Sequence, residues 1–273
     1  MPITPLIKIE QVYFKREDLN TTGSAKDRAT KKQIKNIKSL HLSSAVISST
    51  GNAAISALHF CQKHHIDLTI FLSAKIDQKK LSLIRQKTKN IIFSNKPISE
   101  AFKYAKKHHC YNLRQSTDPI ALKGYRQIGK EIQKQILQAT SIFIPVGSGT
   151  TLVGISSSLP KQTKIFAIQP SSHSPISSVF DQNFTPEKQT STTSLGAKSL
   201  PLKNKIIQAI KKSQGSGLVV EEKNLLSQQK YLNLNNISTS AEGALALAGY
   251  QKAKQQNLNV GNCPLILLTG AHR

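Results

Sequence analysis

Short, nearly continuous apolar runs recur along the chain at 45–47, 68–72, 91–93, 142–145, 165–168, 218–220 and 265–268. Runs of this length, rich in Ile, Leu and Val, predict strands buried on both faces of a parallel sheet. Between them the period changes. Ala54, Ala57, Leu58 and Cys61 recur at i, i+3, i+4 and i+7, and Ile128, Ile132 and Ile136 recur every four residues. Both segments predict amphipathic helices. A third helix is expected after Thr22-Gly23-Ser24, a turn and cap signal, continuing through Ile34 and Ile37. Strands alternating with helices predict an α/β protein with parallel sheets. Residues 170–201 interrupt the pattern with a Ser/Thr/Pro-rich run, too long for an ordinary connection, which predicts a functional surface loop or a partly disordered one.

Composition changes this picture little. At 273 residues the chain is long enough for one large or two modest domains, each with a real core. Its apolar runs fall far short of the ~20 residues a membrane helix needs. The N-terminus lacks a charged segment followed by an apolar stretch and a cleavage site, so a cytoplasmic protein is expected. Cys61, Cys110 and Cys263 are odd in number, far apart and without CxxC spacing. This argues against a disulfide framework or a zinc site and predicts reduced, buried thiols. The net charge is +24, from 38 Lys+Arg against 14 Asp+Glu. Such a field attracts phosphate polyanions. The lysines are nevertheless scattered in pairs, at 31–32, 79–80, 106–107 and 211–212, without zinc ligands or an aromatic RNA-binding signature. A solvated surface is expected, with no specific nucleic-acid partner.

Four segments carry candidate chemistry. Lys26 falls in the first turn of the helix after Ser24, where the positive end of the dipole disfavours an ammonium. This favours the neutral amine that Schiff-base chemistry requires. Ser48-Ser49-Thr50-Gly51-Asn52 lies between a strand and a helix, where hydroxyls and unpaired amides suit a carboxylate or phosphate; a simple helix cap reads equally well. Gly147-Ser148-Gly149-Thr150-Thr151 also follows a strand, and its glycines allow backbone amides to approach a phosphate. It is neither GxGxxG nor a loop ending in GK[ST], so dinucleotide and ATP binding are not supported. Finally, Leu268-Thr269-Gly270 delivers a hydroxyl to the carboxyl edge, where parallel sheets bind ligands.

In this order the segments resemble the fold type II family of pyridoxal-phosphate (PLP) enzymes, which includes threonine synthase, threonine/serine dehydratase, cysteine synthase and the tryptophan synthase β chain. Asn20-x-Thr22-Gly23-Ser24-x-Lys26-Asp27-Arg28 matches the cofactor-lysine motif, Ser49-Thr50-Gly51-Asn52 the substrate loop, and Gly147 to Thr151 the phosphate loop. The resemblance implies two three-layer αβα domains with PLP in the cleft between them. A smaller mobile domain is expected at 31–125, and a larger PLP-binding one at 1–30 and 126–273. It also implies a homodimer and a small amino-acid substrate. Lys26 would carry the cofactor as a Schiff base and move the α-proton, Asn52 would meet its phenolic oxygen, and Gly147, Ser148, Gly149, Thr150 and Thr151 its phosphate. Thr269 would face the pyridine nitrogen, while Ser49, Thr50 and Gly51 would take the substrate carboxylate. Tyr125, Glu242 and Gly243 are further candidates for the lining.

Within the family the motifs look most like threonine synthase, which converts O-phosphohomoserine and water to threonine and phosphate. One position departs from that pattern. The arginine that grips the substrate phosphate aligns with Ala121 in Asp118-Pro119-Ile120-Ala121-Leu122-Lys123-Gly124. Lys123 or Arg126 is expected to replace it, or the substrate carries no phosphate, as in a dehydratase or a cysteine synthase-like enzyme. The competing class is a non-catalytic basic binding protein on an enzyme scaffold, against which Lys26, Asn52 and the phosphate loop all argue.

Overall fold

A computed structural model describes residues 2–49, 51–74, 76, 78–136, 138–197 and 199–272, without the side chains of Lys79 and Lys80. The chain divides into two compact units, Met1–Ala25 with Tyr125–Arg273, and Lys26–Gly124. Against the division expected at 31 and 125, this one leaves the helix that begins at Lys26 whole.

The larger unit begins with β1 (Leu6–Ile9) and β2 (Val12–Arg16), joined by a tight turn in which Glu10 takes a positive φ of 52°. After the first short helical segments it continues with β7 (Ser141–Pro145), α6 (Thr150–Ser156), β8 (Lys164–Pro170), α7 (Lys203–Lys212), β9 (Ser216–Val220), α8 (Glu222–Leu234), α9 (Ala241–Gln255) and β10 (Pro264–Leu268). The smaller unit holds α1 (Lys26–Ser39), β3 (Ser44–Ser48), α2 (Asn52–Lys63), β4 (Asp67–Leu72), α3 (Gln78–Arg85), β5 (Ile91–Phe93), α4 (Pro97–Lys107) and β6 (Tyr111–Asn112). Helix α5 (Pro119–Gln135) runs from the smaller unit into the larger.

The larger sheet has the order β1-β2-β10-β7-β8-β9, parallel throughout except for the β1–β2 hairpin. Helix α9 packs on one face through Ala244, Leu245 and Ala248, meeting Phe143, Phe166 and Ile168 in one core. Ile142 and Ile144 alternate with Phe143 and are equally buried, so β7 is apolar on both faces. The smaller sheet, β5-β4-β3-β6, is fully parallel. Its strand period of two separates two cores: Ala45, Ile47, Ile70 and Leu72 pack with α1 and α2, and Val46 and Phe71 with α4. Strand β5 departs from the expectation of burial on both faces. It is an edge strand, and Ile92 and Phe93 are exposed.

Strands β1, β2 and β6 lie outside the apolar runs. In β2 the reason is Lys15, a residue no apolar pattern admits, yet fully buried. Its Nζ donates to the Thr4 carbonyl at 2.8 Å and to Gln135 Oε1 at 2.8 Å, and pairs with Glu131 Oε2 at 3.1 Å. The three acceptors satisfy all three ammonium protons, which is what makes the burial tolerable.

The Ser/Thr-rich run of 170–201 is tied down at several points. Gln169 Oε1 accepts from the amides of Ile176 and Ser177, Ser171 donates to Glu187, and Asp181 accepts from the Val219 amide and pairs with Lys252. Ser177, Asp181, Thr192 and Leu195 are buried. Polar side chains here serve as anchors rather than as signs of disorder. Among the lysine pairs, Lys32, Lys106, Lys107, Lys211 and Lys212 are exposed on helices. Cys61 and Cys110 are buried free thiols, whereas Cys263 is half-buried. No helix among the described residues is long and apolar enough to cross a membrane.

Candidate active site

The lysine motif is held by the end of β10. Ser24 and Gly270 form an antiparallel bridge, the Ala25 amide donates to the Thr269 carbonyl at 3.0 Å, and the Ala271 amide donates to the Gly23 carbonyl at 2.8 Å. Gly23 sits at φ 72°, where a side chain would be strained. Lys26 is the next residue and the first of α1, half-buried, as the sequence indicated. Ser24 is not the expected helix cap: its Oγ is buried without a partner, as is Ser240 Oγ. Ser240 also meets Gly270, its amide donating to the Gly270 carbonyl at 2.8 Å. Two unsatisfied hydroxyls therefore belong to residues that bond to Gly270, beside the half-buried Thr269. Buried polar groups are rarely left unpaired, so this edge of the larger unit is suited to a polar ligand.

The glycine loop between β7 and α6 is closely walled. A Cβ on Gly147 would lie 2.8 Å from the Ser194 carbonyl oxygen. Gly149 caps α6 at φ 76°, and a Cβ there would lie 2.0 Å from Ile206 Cδ1. Both glycines are therefore required. Ser148 Oγ and Thr150 Oγ1 are 2.9 Å apart, and Thr150 and Thr151 begin α6. Amides of a first helical turn lack intrahelical acceptors, so the loop fits a phosphate ester approaching its backbone.

Glu242 explains the wall. Its Oε1 accepts from the Thr193 amide (3.0 Å), the Ser194 amide (3.0 Å) and Ser194 Oγ (2.8 Å), from a buried position at the start of α9. It thereby fixes the Ser194–Leu195 segment that contacts Gly147. Tyr125 is fully buried, and a Cβ on Gly243 would lie 2.5 Å from Thr239 Oγ1 and 3.2 Å from Leu268 Cδ2.

In the smaller unit, Ser49 Oγ accepts from the Gly51 amide at 3.3 Å, and Asn52 opens α2 half-buried. Thr50 lies outside the described residues. Gly51 is unlike the other loop's glycines: its φ is −118° and a Cβ would meet nothing within 4 Å. The motif before α5 is a capping structure. Asp118 Oδ1 accepts from the Ile120 amide, and Oδ2 accepts from Gln33 Nε2 at 2.6 Å and Tyr111 Oη at 2.7 Å. Burial and the Asp118 carboxylate push the Tyr111 phenol well above its ordinary value, so it stays a donor. Ala121 is fully buried, whereas Lys123 and Arg126 are exposed on α5.

The sequence reading passed over Gln115. Its Nε2 reaches the Lys26 carbonyl at 3.4 Å and Thr30 Oγ1 at 3.3 Å, fastening the turn after β6 to the first turn of α1. A polar residue in a loop carries no signal of such a partner 89 positions away.

The smaller unit thus offers an amine and a loop suited to a carboxylate, and the larger unit a glycine loop suited to a phosphate ester and a neutral hydroxyl. A threonine synthase of Methanosarcina acetivorans is 25% identical over 97% of this chain and 71% of its own length. A catabolic L-threonine dehydratase of Staphylococcus aureus is 24% identical over 92% of this chain and 78% of its own. A crystal structure of a pyridoxal 5'-phosphate-dependent aspartate racemase superposes with a TM-score of 0.83 at 16% identity, covering 99% of this chain and 91% of that one. The sequence profile described as "Pyridoxal-phosphate dependent enzyme" matches residues 2–270, and the chain belongs to that family.

Proposed function

We propose that the protein is a threonine synthase-like lyase, converting O-phosphohomoserine and water to threonine and phosphate. The observation that carries this reading is the pairing of a glycine-only phosphate loop in one unit with an open strand-end loop in the other. The relative that spans 97% of the chain, a threonine synthase, supports the choice of branch.

In this reading Lys26 bears PLP on its amine, and Gly147 to Thr151 hold the cofactor phosphate. Asn52 meets the ring oxygen and Thr269 the ring nitrogen. Bound there, the cofactor supplies an electron sink for charge developing at the substrate α-carbon. Ser49, Thr50 and the amides of Gly51 and Asn52 orient the substrate carboxylate. The Lys26 amine would also take the α-proton and return it at the end of the cycle. The Thr269 hydroxyl is neutral and brings no negative charge to the ring nitrogen. This moderates the sink and favours chemistry at the side chain over racemisation.

Ala121, where threonine synthases are expected to carry an arginine, supports a second reading as a dehydratase of threonine or serine. Product analysis separates the two. The purified holoenzyme should release phosphate and form threonine from O-phosphohomoserine. Ammonia and a 2-oxo acid from threonine, with no phosphate release from O-phosphohomoserine, would replace the first reading by the second. Borohydride reduction and peptide mapping should place the cofactor on Lys26, and Lys26→Ala should lose the reducible chromophore. A variant that kept it would remove Lys26 from the reaction.

A further inference from the structure

We infer that Arg114 is the residue that binds an anionic group on the substrate's side chain, a phosphate ester or a carboxylate. Arg114 follows β6, whose register with β3 pairs Ala45 with Tyr111 and Val46 with Asn112. The ladder extends one step further, since the Leu113 amide donates to the Val46 carbonyl at 2.9 Å. Carrying the register on by two residues sets Arg114 beside Ser48, at the strand end that leads into the Ser49–Asn52 loop. The next residue, Gln115, reaches the Lys26 carbonyl. Arg114 thus stands at the carboxyl edge of the smaller sheet, in the turn after β6 that Gln115 fastens to the helix beginning at Lys26.

Its guanidinium is half-buried and makes no ion pair or hydrogen bond among the described residues. Arg16, by contrast, pairs with Asp18, Lys15 with Glu131 and Lys252 with Asp181. The carboxylate nearest in sequence, Asp118, is occupied by Gln33, Tyr111 and the Ile120 amide. Burial lowers the Arg114 pKa with no opposing negative charge. A second donor stands beside it unused: Asn112 Nδ2 is buried without an acceptor, while Asn112 Oδ1 accepts from the Arg114 amide at 3.0 Å. Covered donors without an acceptor mark a site that an oxyanion would complete, and a planar guanidinium fits phosphate and carboxylate alike. Lys123 and Arg126 are exposed on α5 and lack this setting. The assignment rests on the proposed PLP chemistry on an amino acid, and it supplies the cation that Ala121 does not.

The test titrates holoenzyme with O-phospho-L-homoserine, L-aspartate and L-threonine, following the cofactor's absorption. Arg114→Ala should weaken binding of the phosphorylated or the acidic amino acid about 10- to 100-fold, the loss expected for a charged hydrogen bond. L-threonine binding should change less than about two-fold by the same reasoning, since its side chain makes no such bond. Whichever anion suffers more is the group recognised. Inorganic phosphate alone should compete with O-phosphohomoserine in the wild type and not in Arg114→Ala. Arg114→Lys, which keeps the charge, should restore part of the loss, and Lys123→Ala and Arg126→Ala should bind like the wild type. Equal weakening of all three amino acids, or no weakening at all, would overturn the assignment. Were the purified wild type to lack the cofactor chromophore or to respond to no amino acid, the enzymatic reading would itself fail and take this inference with it.

Discussion

In the larger unit the loop after β7 is walled wherever its glycines face. Ile206 fills the space over Gly149, and the Ser194 carbonyl, fixed by Glu242, closes on Gly147. In the smaller unit the loop after β3 has an open space over Gly51, whose amide donates to Ser49 Oγ at a long 3.3 Å. Both loops join a parallel strand to a helix, and both read alike in sequence as small residues and hydroxyls. The packed loop has one available shape, suited to a group that stays bound. The open loop can adjust as molecules come and go. In the proposed function, a preorganised site for the retained ligand and freedom at the site of the exchanged one would follow from which glycines have neighbours.

The largest effect should come from breaking the packed loop at Gly149. Valine there would hold a β-branched residue at φ 76° and drive a side chain into the fully buried Ile206. Backbone strain of ~1–3 kcal/mol and overpacking of ~1–3 kcal/mol together give a loss of about 2–5 kcal/mol. Urea unfolding should show this loss, and cofactor retention should fall with it. Full stability in Gly149→Val would mean that the loop is not held as described.

Removing the clamp should cost slightly less. Glu242→Ala leaves three donors, the Thr193 and Ser194 amides and Ser194 Oγ, without their acceptor. Thr193 and Ser194 are themselves exposed, so water can take the place of the lost acceptor, and a loss of about 1–3 kcal/mol, that of hydrogen bonds to one charged group, is expected. Glu242→Gln keeps one oxygen at the site and should recover most of it. Dissociation of the cofactor should speed up in the alanine variant. A variant that unfolds earlier yet releases cofactor at the wild-type rate would separate the clamp from the phosphate loop.

The contrast between the loops was not legible in the sequence, although most of the frame was. All seven apolar runs are strands: six are largely covered on both faces, which calls for apolar residues along the whole run, and the seventh, β5, lies at a sheet edge. Lys26, Asn52 and Thr269 fall at the helix starts and the strand end where the motifs put them. What escaped depended on distant partners. Lys15 is buried because Thr4, Glu131 and Gln135 converge on it, and the stretch from Ser171 to Ser194 is tied down because Glu242, Asp181 and Gln169 bond into it. Gly51 and Gly149 are the same letter, and the atoms that distinguish them come from elsewhere in the chain.

Thiol chemistry offers a milder test, one that leaves the sequence unchanged. Cys61 lies in the core between the smaller sheet and α2, and burial pushes its thiol up to about 12. Near neutral pH it is neither ionised nor accessible, so alkylation must await opening of that core. Cys263, half-buried in the larger unit, should react first, and Cys61 only as the smaller unit opens. Mass spectrometry of a time course with iodoacetamide gives the order. Rapid labelling of Cys61 would mean that the looseness of the smaller unit extends beyond its loop into its core.

The smallest effect on stability should come from Gly51→Ala, and it sharpens the comparison most. At φ −118° alanine is unstrained, and its methyl would meet nothing within 4 Å. Reduced freedom of the unfolded chain should even stabilise the protein by ~0.4–1 kcal/mol. The cofactor should remain bound, because the walled loop is untouched. The methyl does, however, enter the space proposed for the substrate carboxylate, so KM should rise several-fold with a smaller change in kcat. Gly149→Val and Gly51→Ala, made as a pair, should therefore fail in different ways, one losing fold and cofactor and the other losing substrate affinity alone. An unchanged KM in Gly51→Ala would move the carboxylate away from this loop, and a loss of stability would mean that the space over Gly51 is filled after all.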